Sequence, residues 1–220
     1  MREIYVPHKP TQAEEDYVAS MITDVGFRGN FPSEVWPVCV GGVNLNFTAI
    51  RQFLDILGNH RSYHKRNSEE HLQGCYEDSQ GGCGNTVGLM SEIYREYWTG
   101  IYADMVYRSK GDGGRDFLYG LKKYGDRTTY YYTFEKAWLK QKVQDERFCD
   151  VYILYHVGLK ENRVKIHGWC VGELLKNGRL HDFSTPGHKR DVCRVVEGPA
   201  LTRGFPPELP SYFMTGADVT

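Results

Sequence analysis

Val151-Tyr152-Ile153-Leu154-Tyr155 is the stretch on which the fold turns. Five consecutive apolar residues, β-branched and aromatic, show neither the stripe of a surface helix nor the alternation of a half-exposed strand. They predict a central strand buried on both faces, spanning Asp150 to Val157. Such a strand needs partners on its edges and a layer on each face. Downstream, Arg163–Trp169 predicts another strand and Val171–Lys176 a short helix stopped at Asn177-Gly178. Upstream, Ala103–Tyr107, Arg115–Leu121 and Thr128–Phe134 are strand-like, and Leu89, Ile93, Tyr97 and Ile101 recur every four residues, as on a helix beginning near Val87. The fold class expected is α/β (α+β): a mixed central sheet flanked by helices.

The N-terminal part is helical by pattern. Thr11-Gln12-Ala13-Glu14 has capping-box spacing, followed by an apolar stripe of Tyr17, Val18, Met21, Ile22 and Val25, with Gly26 as the expected stop. A second helix is expected from Phe47 to Leu57, with Ile50, Phe53, Leu54 and Leu57 on its apolar face and Gly58 ending it. Residues 58–88 are polar, His-rich and Gly-rich and are expected to form a long loop. The chain thus divides into an N-terminal helical region with its loop (1–86), a core (87–178) and a turn-rich extension (179–220) around Pro199, Pro206, Pro207 and Pro210.

The net charge is -1, so attraction to a polyanion has to be local. Two short basic runs offer it, His60–Arg66 and His188–Arg190; as solvated loops they would also be ordinary. No apolar run reaches the ~20 residues of a membrane helix, and Met1 is not followed by the plan of a signal peptide. The six cysteines are scattered, which fits reduced thiols and a cytoplasmic location.

Carboxylates concentrate between Glu92 and Asp126. Glu92 falls on the third helix. Asp112 and Asp116 lie in Gly111-Asp112-Gly113-Gly114-Arg115-Asp116-Phe117, and Asp126 follows the turn-like Gly120–Gly125. A hairpin of that length sets Asp116 beside Asp126. Paired carboxylates repel unless a cation or proton compensates, and two or three oxygens suffice for Mg²⁺. Asp-Gly-Gly is equally an ordinary turn sequence.

Taken in order, Ser91-Glu92, the Gly-Asp-Gly-Gly-Arg-Asp-Phe turn, Cys149–Leu154, Val164–Trp169 and Gly172-Glu173-Leu174-Leu175 resemble the PD-(D/E)xK nuclease superfamily. The likeness is to its small phage and prokaryotic members and covers residues 87–178. It implies a restriction-endonuclease-like core and a Mg²⁺- or Mn²⁺-dependent endonuclease that hydrolyses DNA phosphodiester bonds. Glu92 and Asp116 match the family's helix Glu and its Asp after the double glycine. The acidic-x-Lys element departs: Asp126-Arg127-Thr128 carries Thr where the family has Lys, with Lys123 and Lys136 as candidate substitutes. The alternative implied by that departure is a degenerate relative that binds nucleic acid or a protein partner, as in phage–host conflict.

His60, His64, His71, Cys75 and Cys83 share one polar stretch, and His60/His64 and His71/Cys75 are each spaced four apart, as on one helical face. A zinc ion held by His60, His64, Cys75 and Cys83 would staple the expected loop, although the spacing matches no standard zinc module. Tyr130-Tyr131-Tyr132-Thr133-Phe134 offers rings for base stacking, half of them turned inward if the segment is a strand.

Overall fold

The computed structural model describes residues 6–67, 83–105, 116–144, 147–184 and 191–211. Helix α1 spans Gln12–Ala19 and starts as its sequence predicts: Glu14 N–H donates to Thr11 Oγ1 at 3.3 Å, and Thr11 N–H donates to the Glu14 carboxylate at 2.7 Å. The helix ends sooner than the apolar stripe suggests, and Ile22 is exposed. Gly26 does not stop this helix. It opens a short second one, α2 (Gly26–Asn30), at φ +59°, where a side chain would collide with the Glu96 carboxylate.

Helix α3 runs Arg51–Asn67, straight through the expected stop at Gly58. The glycine serves helix packing. A Cβ there would lie 2.9 Å from the backbone nitrogen of Thr86 and would run into its hydroxyl. Thr86 belongs to α4 (Gly84–Thr99), so α3 and α4 meet backbone to backbone at this point. The expected loop is therefore helical in its first ten residues and again from Gly84, and residues 68–82 lie outside those described. Helix α4 buries Leu89, Met90, Ile93 and Tyr94 and stops at Gly100 (φ +69°). Its Glu96 is 1% exposed and accepts backbone N–H groups from Phe27 (2.7 Å), Arg28 (3.0 Å) and Ala103 (2.8 Å). Three donors on one buried carboxylate offset its desolvation and tie α2 and the segment after α4 to that helix. The strand expected at Ala103–Tyr107 is absent over Ala103–Met105, where Glu96 takes up the backbone; Val106 and Tyr107 lie outside the described residues.

The chain divides into two compact units. The first comprises the described residues of Met1–Ser109, Leu159–Val164 and Pro207–Thr220: α1 to α4, with β1 (Val38–Cys39) and β2 (Leu45–Asn46) paired antiparallel, and β2 paired with Arg163 and Val164. The second comprises those of Lys110–Gly158 and Lys165–Pro206. It holds β3 (Phe117–Tyr119), β4 (Lys122–Thr129), β5 (Trp138–Lys142), β6 (Val151–Gly158), most of β7 (Arg163–Val171), α5 (Gly172–Lys176), β8 (Arg179–Asp182) and β9 (Val192–Glu197). The strand order is β1-β2-β7-β6-β4-β3 in a mixed six-stranded sheet and β5-β9-β8 in a second sheet. The class is mixed α and β, as expected. Two boundaries move: Glu92 belongs to the first unit with the N-terminal helices, and residues 179–197, expected in an extension, supply strands of the second.

Strand β6 is buried at all eight positions. Tyr152 and Leu154 join Phe134, Leu139, Cys170, Leu175, Val196 and Leu201 in one apolar cluster. Each such side chain contributes roughly 1.5–3 kcal/mol on burial. Strand β4 pairs parallel with β6, Tyr124 opposite Val151 through Thr129 opposite His156. The predicted Thr128–Phe134 strand ends at Thr129, where Tyr131 N–H donates to the Thr129 hydroxyl at 3.2 Å and turns the chain. No helix among the described residues is long and apolar enough to cross a membrane.

Gly58→Ala separates the two roles of that glycine. Helix propensity alone would stabilise α3 by about 1 kcal/mol. The collision with Thr86 reverses the sign, and a net loss of roughly 1–3 kcal/mol is expected by urea denaturation. A higher urea midpoint in the variant would overturn the close-packing account.

Candidate functional site

The β3–β4 hairpin turns tightly at Gly120-Leu121 and pairs Phe117 with Tyr124, stacking their rings at 4.7 Å. Asp116 stands just before β3, its N–H donating to Tyr124 O at 2.9 Å. Strand β3 is only three residues long, so β4 runs on past it. Asp116 Oδ2 reaches across and accepts the Asp126 backbone N–H at 2.8 Å. The structure thus brings Asp116 to Asp126, as the hairpin argument expects. Alternation puts Tyr124, Asp126 and Thr128 on one face of β4 and Lys123, Gly125 and Arg127 on the other. Asp126 is 8% exposed, and its Oδ1 accepts the Tyr155 hydroxyl at 3.1 Å. Tyr155 sits in register with Thr128, the position two beyond Asp126.

Cations are distributed differently from the expectation. Lys123 is exposed on the face opposite Asp126, so the alternation of β4 removes it as a partner for that carboxylate. Lys136 is exposed at the end of a 3-10 turn, Phe134–Lys136. Arg127 stands beside Asp116. Its guanidinium lies 3.4 Å from Asp116 Oδ2, donates to Gln141 Oε1 at 2.9 Å and sits 5.0 Å over the Tyr152 ring. Arg127, Gln141 and Tyr155 carry no motif signal in the sequence; only strand register assembles them. Glu92 lies in the first unit, where its carboxylate accepts the Asp104 N–H at 2.9 Å and lies 3.8 Å from Arg61.

Beyond β4, Tyr130, Tyr131 and Tyr132 are all exposed, contrary to the half-inward arrangement a strand would impose. The loop is held from below. His167 Nε2 donates to Tyr131 O at 2.8 Å, and Lys165 Nζ lies 3.4 Å from the centre of the Tyr132 ring. Burial foremost, with Lys165 and Arg203 adding, pushes the His167 pKa below its ordinary value. The Tyr131 carbonyl requires a proton on Nε2, and burial, which outweighs that hydrogen bond, favours the neutral ring.

In the first unit, His60 and His64 project from one face of α3, and Glu15 comes from α1. His60 Nε2 lies 2.9 Å from Glu15 Oε2, and His64 Nε2 lies 3.0 Å from Oε1. Among the described residues these are the one group of three such side chains whose ligand atoms all lie within 4.8 Å. Hydrogen bonds from His60, then His64, hold the Glu15 carboxyl below the usual carboxylate range. The His60/His64 half of the expected zinc set is thus together, and the third side chain of the group is Glu15, 45 residues from His60. No spacing rule could have found Glu15. Cys83 is not with them: its Sγ is buried at 2.9 Å from Ser62 Oγ and 3.3 Å from Gly58 O. His71 and Cys75 lie outside the described residues. Burial raises the Cys149 thiol to about 11 and the Cys170 thiol to about 12, so neither is an activated nucleophile.

No family model, curated protein or solved structure matches this chain.

His167 gives a pH test of the tyrosine loop. Its folded pKa lies below the 6.5 of the unfolded chain, so on acidification the unfolded state takes up the proton first. The stability it contributes is complete above pH 6.5 and is lost as pH falls through the window beneath. Urea midpoints should fall more steeply from neutral to mildly acidic pH in the wild type than in His167→Gln, which keeps a donor but cannot titrate. Identical slopes would show that this imidazole is not the group responsible.

Proposed function

We propose that the second unit is a PD-(D/E)xK-type, endonuclease-like module acting on DNA, with Asp116 and Asp126 as its metal-facing carboxylates. The supporting observation is the pairing across the β3–β4 hairpin: Asp116 fixed on the Asp126 N–H, with the Asp126 carboxylate on the same strand face as Thr128. The donors are hard carboxylate oxygens, the chemistry that suits Mg²⁺ or Mn²⁺. When bound, such an ion would supply an activated water and charge stabilisation at the phosphate. The chain's own residues orient that pair: the Tyr155 hydroxyl holds Asp126, and Arg127 holds Asp116. Thr128 cannot give the ammonium that a lysine there would provide, so turnover is slow.

A second reading rests on Arg127 and the tyrosines. A guanidinium 3.4 Å from Asp116 already supplies positive charge, and three exposed tyrosines with Lys165 nearby suit stacking and phosphate contact. In that reading the module binds nucleic acid, or a protein partner, without cutting.

Labelled oligonucleotides with Mg²⁺ and with Mn²⁺ separate the two. Weak cleavage is expected, better with Mn²⁺, lost in Asp116→Ala and raised about tenfold or more in Thr128→Lys, the effect of one well-placed electrostatic group. Cleavage by Asp116→Ala equal to wild type removes the nuclease proposal. If no form cuts and Tyr131→Ala or Tyr132→Ala weakens DNA binding by about tenfold, the binding module takes its place.

A further inference from the structure

We propose that Glu15, His60 and His64 form an open, three-ligand site for a first-row divalent cation, Zn²⁺ foremost, in the helical unit. This site is separate from the Asp116–Asp126 pair and does not depend on it.

The geometry is already convergent. Both imidazoles aim Nε2 at one carboxylate, at 2.9 and 3.0 Å, with their rings 4.4 Å apart between centroids. Tetrahedral Zn²⁺ with bonds of about 2.0–2.1 Å needs ligand atoms about 3.3 Å apart. The three ligand atoms lie within 4.8 Å of one another, so side-chain torsions would draw them together onto the ion. The i, i+4 spacing on α3 fixes the two histidines in register. The third ligand comes from another helix, so binding would clamp α1 to α3.

The neighbouring contacts account for why Glu15 and not Glu14 faces the histidines. Glu14, next in sequence, is committed to the capping box through Thr11. Glu15 has no such duty, and the histidines are its hydrogen-bond partners. His60 is 8% exposed, yet its Nδ1 has no hydrogen-bond partner among the described residues. The contact toward Glu15 is thus the hydrogen bond this buried imidazole makes among the described residues, and it aims Nε2 at the carboxylate. Glu15 and His64 are each 36% exposed at the side chain, leaving an approach for the ion and for a water or exogenous ligand in the fourth position. Two nitrogens and one carboxylate oxygen suit Zn²⁺ and, with altered geometry, Co²⁺ or Fe²⁺; they do not suit Ca²⁺ or Mg²⁺, which prefer all-oxygen shells.

The experiment is titration of the full chain with Zn²⁺, and with Co²⁺ as a spectroscopic probe. About one equivalent should bind, Co²⁺ should show d–d absorption without a thiolate charge-transfer band, and saturation should raise the melting temperature. Losing an outer partner of a ligand costs 10–100-fold, so removing a ligand should cost at least about 100-fold. His64→Ala and Glu15→Ala are both partly exposed changes, so circular dichroism should stay unchanged while affinity falls by that factor. Three results would each overturn the site: no uptake at about 0.1 mM free Zn²⁺, wild-type affinity in both variants, or a thiolate charge-transfer band that places the metal on cysteine. Asp116→Ala should bind Zn²⁺ like wild type, so the outcome is independent of the nuclease question.

Discussion

Burial of β6 on every side is the constraint from which the second unit follows. Eight positions from Val151 to Gly158 are out of water, so every backbone polar group of the strand must be paired along its edges and both faces must be covered. One edge is taken by β4, in parallel. Parallel neighbours cannot be joined by a tight turn, so the chain between Thr129 and Val151 has to leave the sheet and return. On that excursion it lays down β5, which pairs with β9 and in turn β8 to make the second sheet. Residues of those elements, Leu139 and Val196 among them, cover the Tyr152 and Leu154 face. The layer and the crossover are two consequences of one apolar run.

The contact of the Asp116 carboxylate with the Asp126 N–H is a by-product of how short β3 is. With three residues in β3, the edge of β4 beyond Tyr124 would present an N–H with no strand to receive it. Asp116 receives it at Asp126. The same contact that caps an open edge brings the two acidic residues together, so a structural economy and a candidate metal site share one geometry. What distinguishes them is the surrounding charge. Arg127 lies on the face away from the Asp126 side chain yet within reach of Asp116, because Asp116 stands at the strand edge and not over either face.

The helical unit is organised by close approaches and by one buried anion. Gly58 lets α3 touch α4, and Glu96 gathers N–H groups from Phe27, Arg28 and Ala103. Neither is an apolar contact. Each fixes geometry where hydrophobic burial, being non-directional, would tolerate several arrangements. The Glu15–His60–His64 cluster depends on the spacing of α1 and α3, which the Tyr17–Phe53 ring contact at 5.9 Å helps to set.

Periodicity and local chemistry by themselves determined the buried strand at Val151–Gly158, the burial of Leu89 and Ile93 on α4, the capping box at Thr11 and the short helix after β7, because each is encoded within a few neighbouring residues. The hairpin contact between Asp116 and Asp126 was also legible, its two halves lying ten residues apart. Glycine misled twice. At Gly26 and Gly58 a local rule for helix stops was overridden by a partner 70 and 28 residues away, Glu96 and Thr86, which the local pattern does not contain. Strands β5, β8 and β9 carried too weak a period to be seen and owe their pairing to one another. Tertiary structure alone decided that Glu15 faces His60 and His64, that Arg127 reaches Asp116, and that Lys123 turns away from Asp126. The physical reason is that a site is a set of distances across elements, whereas a sequence states only separations along the chain.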